Sequence, residues 1–360
     1  MYNDLVLDDI LKLSADKLNG VINGVPFPYD RFKHYVPTLE KGVYSAILGS
    51  SGIGKSTLAR ELYVYHVLQF AHQYNYPVKI VYFALEDDKL KIMKKMFMYY
   101  AYSIFGVELS FWDINSKVKP LTPKEIEVLR KVNKFIAPLM DSIKIIDTVT
   151  TPNGMRNACD KMEEVGFFKD RHVFVICDNF MNITPDECDG DQWAAQSRFS
   201  SQIVRLDFCK KRGYSFIGIL QTDMEQEKHS FRTVGKQSSI ASLEPSTASI
   251  AGNKGMVRDF HLLFGIFNPA RYEITGYPKA DDYDITQLRN HFRSVLLLKS
   301  NDGELPYGRL GLRFHGVPGH FEELPPASEK DKLNLIYQDI YERELLRIEK
   351  SAVQKNIFGK

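Results

Sequence analysis

The 360-residue chain carries 47 basic and 45 acidic side chains, a net charge of +2, so its global electrostatics neither demand nor exclude a nucleic-acid partner. Hydrophobic residues at 44% and charged residues at 26% are ordinary for a globular protein, and the length suits one α/β core with appended helices. No apolar run approaches the roughly 18 to 20 residues of a membrane-spanning helix, which argues against a membrane partner, and Met1-Tyr2-Asn3-Asp4 does not open a secretory signal. The four cysteines, Cys159, Cys177, Cys188 and Cys209, match no short zinc pairing and read as thiols of a reducing cytoplasm.

In chain order, Leu7, Ile10, Leu11 and Leu18 predict a short amphipathic helix, and the turn-rich stretch from Asn19 to Pro26 makes residues 1–24 a helix and linker. From about residue 40 apolar strands alternate with helical stretches, beginning with a strand over 43–48, a glycine loop and a helix from 55 to about 73. Further strands are predicted over 78–84, 143–146, 173–177, 215–220 and 262–267. Such alternation implies an α/β fold with a mainly parallel sheet covered on both faces. Segments 294–298 and 309–314 flank Ser300-Asn301-Asp302-Gly303 and predict a C-terminal antiparallel hairpin. The serine-rich stretch 230–249 reads as a mobile loop. Residues 25–326 then form one domain, and 327–360 a helical tail with Leu333, Ile336, Tyr337, Ile340 and Tyr341 on one stripe.

The glycine loop reads Gly49-Ser50-Ser51-Gly52-Ile53-Gly54-Lys55-Ser56, with Thr57 next, and it lies between a strand and a helix. That is the P-loop pattern, in which backbone N–H groups and the helix N-terminus cradle phosphates. Lys55 is expected to reach the β- and γ-phosphates of ATP and Ser56 to place its hydroxyl on Mg²⁺. Val173-Phe174-Val175-Ile176-Cys177-Asp178 is an apolar strand ending in an acid, the Walker B arrangement, so Asp178 is the second metal-side candidate; a turn-capping aspartate is its bland competitor. Lys79-Ile80-Val81-Tyr82-Phe83-Ala84-Leu85-Glu86 ends in another carboxylate, making Glu86 the candidate general base, against a simple helix-end charge at Glu86-Asp87-Asp88. A third strand ends at Gln221, whose amide is placed to sense the γ-phosphate unless it is a mere surface glutamine.

The order P-loop, Glu86, Asp178, Gln221 resembles the RecA-like core of the DnaB-type hexameric replicative helicases, over roughly residues 20–325. Phe83-Ala84-Leu85-Glu86 resembles the catalytic-glutamate strand, and Ile145-Ile146-Asp147-Thr148 a following strand end. Arg198 opens a helix leading into the Gln221 strand as in that family, and Leu312-Arg313-Phe314 with His320-Phe321-Glu322 resembles its closing segment. The resemblance implies a RecA-like P-loop NTPase that binds Mg-ATP and assembles as a ring, usually of six subunits. It further implies translocation on single-stranded DNA with duplex unwinding, and primase or loader proteins as partners. By position Lys55 and Ser56 hold phosphates and metal, Glu86 activates water, Asp178 supports the metal and Gln221 senses the γ-phosphate. It also implies a bacterial, phage or mobile-element cytoplasm.

Two departures stand out. The family's Lys-x-Arg pair, whose arginine acts on the neighbour's ATP, is Lys299-Ser300-Asn301 here: Lys299 is kept and asparagine replaces the arginine, with Arg293, Arg309 and Arg313 as candidate substitutes. About 40 residues precede the first strand, too few for the family's separate primase-contacting domain, so the first helix is expected to be either the linker helix that docks on a neighbour or one packed on its own domain. DNA contact is expected from Lys228, Arg232, Lys236, Lys254 and Arg258, five basic residues against one acid, Glu244; a merely solvated loop is the alternative. The rival functions are a RecA-like DNA-binding ATPase without unwinding, such as a recombination mediator or regulatory ring, and a P-loop small-molecule kinase, for which no arginine-bearing lid is evident.

Overall fold

A computed structural model describes residues 2–22, 24–117, 119–223, 240–279, 282–302 and 308–358, with backbone alone at 2 and 347–358. Its centre is a sheet of β1 (Tyr44–Gly49), β2 (Val78–Ala84), β3 (Ile143–Ile146), β4 (His172–Asp178), β5 (Ser215–Gln221), β6 (Leu262–Phe267), β7 (Phe292–Ser300), β8 (Arg309–His315) and β9 (His320–Glu323). In space the strands run β9-β8-β7-β6-β1-β5-β4-β2-β3. The six from β6 to β3 pair in parallel, while β7, β8 and β9 extend one edge antiparallel. The predicted mainly parallel sheet and late hairpin are therefore present, and β9, too short and mixed to signal itself, is added beyond them.

Because side chains alternate across a strand, each parallel strand feeds two cores. Ile80 and Tyr82 of β2, Phe174 and Ile176 of β4, and Ile217 and Ile219 of β5 face one side. There they meet α2, which starts as Lys55–Arg60, passes through a wider π-type turn at Glu61–Tyr65 and continues as His66–Tyr74. Val81, Phe83, Val173, Val175, Cys177 and Phe216 face the other side with Phe199 and Phe208. Both layers are almost fully buried, which is why these strands read as unbroken apolar runs.

The connecting helices start where capping residues dictate. Asp88 accepts from the Lys91 amide to open α3 (Lys89–Phe105), and Ser110 and Asp113 form a reciprocal capping box on the short α4 (Phe111–Ile114). Thr122 and Glu125 do the same for α5 (Pro123–Ile136), Thr151 caps α6 (Pro152–Glu164), and Asp191 caps α7, Gln192–Arg198 continued by Phe199–Lys211.

At the ends of the chain the expectations divide. In α1 (Tyr2–Leu18) the apolar residues remain exposed, Leu7 at 54%, Ile10 at 56% and Leu11 at 57%, so the helix does not bury them on its own domain. In α8 (Lys330–Phe358) Leu333 and Ile340 are buried against the antiparallel edge with Phe292 and Leu296, and Ile336 and Tyr337 are half-buried. Tyr341, placed on that stripe from the sequence, is 57% exposed and falls outside it. Of the serine-rich stretch expected to be a mobile loop, residues 230–239 lie outside the described residues; the remainder forms a short helix, Ile240–Leu243, and a 3-10 turn, Thr247–Ser249. Cys159, Cys177 and Cys209 are buried thiols, and Cys188 is an exposed one. No helix among the described residues is long and apolar enough to cross a membrane.

Candidate active site

Parallel pairing brings the candidates to one end of the sheet. Gly49, where β1 ends, is directly opposite Gln221, where β5 ends; Ala84 at the end of β2 is opposite Asp178 at the end of β4. Asp178 and Gln221 continue the alternation of Phe174–Ile176 and Ile217–Ile219, so their side chains fall on the α2 side of the sheet. The P-loop wraps over that edge. Gly52 at φ +71° and Gly54 at φ +103° take a backbone conformation that side chains resist, and a Cβ on Gly54 would also press to 3.2 Å from the Phe321 ring.

A cavity of about 390 Å³ opens there, lined among others by Gly52, Gly54, Lys55, Ser56, Thr57, Glu86 and Gln221. Three cations, Lys55, Arg60 and Lys95, line it against Glu86, its one acidic lining residue. The balance suits a polyphosphate. Lys55 is buried and donates to the Ser50 carbonyl at 2.7 Å, folding back over the loop. Ser56 Oγ donates to Asp178 Oδ1 at 2.7 Å. A hydroxyl and a carboxylate in contact at a phosphate loop fit Mg²⁺, a hard cation that takes oxygen ligands and shares them with the substrate's phosphates. Consistent with such sharing, the described residues contain no cluster of three His, Cys, Asp or Glu side chains able to cage a metal unaided.

The bland readings of the two carboxylates are taken up by their neighbours. Asn179, not Asp178, caps the turn after β4, accepting from the Met181 amide at 3.0 Å. Asp88 caps α3 and Asp87 pairs with Lys91 and Lys95, leaving Glu86 exposed on the cavity wall.

Lys299 does not join this group. It pairs in register with Leu263, level with Ala46, three residues back along β1 from Gly49 and on the order of 10 Å from the loop. Its ammonium donates to the carbonyls of Val257 at 2.9 Å and Phe260 at 2.5 Å, and burial lowers its pKa. The three substitute arginines are likewise engaged within their own domain. Arg293 is buried, donating to the Ile53 carbonyl of the P-loop at 2.8 Å and lying 4.8 Å from the Phe314 ring; burial, with Arg271 nearby, lowers its pKa to about 10. Arg309 forks onto Glu244 at 2.8 and 3.1 Å, and Arg313 is buried against Asp339.

Of the expected DNA contacts, Lys228, Arg232 and Lys236 lie outside the described residues. Lys254 and Arg258 are exposed on a 3-10 segment, Lys254–Arg258, before β6. Glu244, the acid counted against these five, is buried on Arg309 and Tyr277. Arg198 ties down the segment after Asp178, reaching Asp189 at 2.7 Å, Asp186 at 2.5 Å and Asn153 at 2.9 Å.

Sequence reasoning missed Arg60, Tyr82, Lys95 and Arg293. A signal for two of them was present: Arg60 is three and four residues after Thr57 and Ser56, hence on their face of the helix, and Tyr82 shares its strand face with Ala84. Lys95 and Arg293 reach the site only through the packing of α3 and β7.

No family model and no curated protein sequence matches the chain. Solved structures do. One, described in its title as an ATPase domain, superposes with a TM-score of 0.65 at 13% identity, covering 89% of this chain and 99% of that one. A DnaB-like replicative helicase, described with its interactions with primase, superposes with a TM-score of 0.67 at 14% identity, covering 88% of this chain and 68% of that one. The chain therefore shares the RecA-like fold of these helicase ATPase domains, a mainly parallel sheet flanked by helices with antiparallel C-terminal strands.

Proposed function

We propose that the chain is an ATP-driven motor that assembles as a ring, moves on single-stranded DNA and unwinds duplex, in the manner of a replicative helicase. The observation that carries this reading is the convergence of Lys55, Ser56, Glu86 and Gln221 on one cavity, with Ser56 in contact with Asp178. Mg²⁺, when bound with ATP, would neutralise phosphate charge beside Ser56 and Asp178. Lys55 and the loop amides bind the phosphates, Glu86 orients and deprotonates water, and Gln221 reports the γ-phosphate to the segment that follows it. The nucleobase has room in an adjoining cavity of about 320 Å³, which shares Thr57 and Gly316 with the first and is walled by Met98, Phe111, Trp112 and Pro318.

The ring is supported by α1, whose exposed leucines and isoleucine are the kind of face that a neighbouring subunit covers. Replacing Leu7 and Leu11 together with aspartate is expected to shift the protein from ring to monomer in light scattering while its thermal unfolding stays unchanged. A protein that remains assembled would reject α1 as the joining element.

The test of the function is turnover with and without DNA. Single-stranded DNA is expected to raise ATP hydrolysis severalfold, and a forked duplex to be separated in an ATP-dependent way; a DNA-insensitive rate would sink the motor reading. A second reading, a RecA-like DNA-binding ATPase that does not unwind, is favoured by Asn301 and by the internal engagement of Arg293, Arg309 and Arg313. It predicts DNA-stimulated hydrolysis without strand separation.

A further inference from the structure

Behind the phosphate loop lies a charge pair that the ATPase chemistry does not itself require. Arg60, one helical turn beyond Ser56 on α2, is 3% exposed, and Asp178 is 4% exposed. Arg60 Nη1 lies 3.4 Å from Asp178 Oδ2 and 3.4 Å from the Tyr82 hydroxyl, while its Nη2 lies 3.4 Å from Thr57 Oγ1. The Tyr82 hydroxyl donates to the same Asp178 oxygen, and Ser56 to the other. Both oxygens of the metal-side carboxylate are thus engaged, and its charge is balanced by a fixed cation of the same chain.

A buried carboxylate facing only hydroxyls would attract a divalent cation strongly, because little water screens it. With a guanidinium already beside it, an arriving Mg²⁺ meets a neutralised acid and a like charge. The phosphates of the nucleotide would then have to supply the missing negative charge. We propose that Arg60 is a positioning residue that holds Asp178 in place and suppresses metal binding until nucleotide arrives, so that Mg²⁺ and ATP enter as a unit. This inference rests on the reading of the cavity as an Mg-ATP site.

The test follows Mn²⁺, as the probe, by electron paramagnetic resonance, alongside binding of a fluorescent ATP analogue. The native protein is expected to bind Mn²⁺ at least about tenfold more weakly without the analogue than with it, given the size of charge interactions at a buried site. Arg60→Met, which keeps the stem and removes the charge, is expected to tighten nucleotide-free Mn²⁺ binding by about tenfold, whereas Arg60→Lys keeps the native behaviour. Equal Mn²⁺ affinity in Arg60→Met and Arg60→Lys would overturn the proposal. So would tight nucleotide-free Mn²⁺ binding by the native protein that Asp178→Asn abolishes, a result that needs no Arg60 variant to fold. Failure of the native protein to bind the ATP analogue would instead remove the parent reading of the site.

Discussion

Glu86→Gln is expected to lower ATP turnover by about 10²- to 10⁴-fold while leaving affinity for a fluorescent ATP analogue and thermal stability unchanged. The amide keeps the shape of the carboxylate and loses the ability to take a proton from water. Stability should hold because Glu86 carries none of the local structure: Asp88 caps α3, Asp87 holds Lys91 and Lys95, and Glu86 itself is exposed. Phosphate release in the steady state, paired with analogue binding, separates the two effects. A variant with native turnover would move the base to another residue.

Asp178→Ala should behave in the opposite sense, losing stability as well as activity. Its side chain and that of Arg60 are 5% and 4% exposed, so removing the carboxylate strands a buried guanidinium and leaves the Tyr82 and Ser56 hydroxyls without their acceptor. Breaking one half of a buried pair costs about 3–5 kcal/mol, and urea unfolding of the nucleotide-free protein measures it. Combining Asp178→Ala with Arg60→Met should recover part of the loss, since no charge is then left uncompensated. Unfolding curves of Asp178→Ala and Glu86→Gln that coincide would show that the pair contributes nothing to the fold.

The contrast between these two acids also marks how far the sequence could be read. Both end apolar runs, and each run announced its strand, because a strand covered on both faces must be apolar throughout. The P-loop was legible residue by residue, since phosphate binding constrains backbone and side chain over consecutive positions. What the runs could not disclose is that Asp178 is closed in by Ser56, Tyr82 and Arg60 while Glu86 stands open on the cavity wall. Burial of a strand-end acid depends on which helix lies over it. The same limit explains Arg293, Arg309 and Arg313: each looked available as a basic residue on a late strand, and each is engaged by its own domain.

The sequence by itself determined the strands, the glycine loop and the chain order of the candidate groups, because each is written in contiguous residues through period-two burial, glycine placement and strand-end acids. Tertiary structure alone decided their spatial order, in which β5 inserts between β1 and β4 so that Gly49, Gln221, Asp178 and Glu86 follow one another along the sheet edge. It alone also pressed Arg60 onto Asp178 and left α1 uncovered. Pairing of distant strands and the seating of a helix on a sheet are set by which surfaces fit together, and no local pattern of residues specifies that.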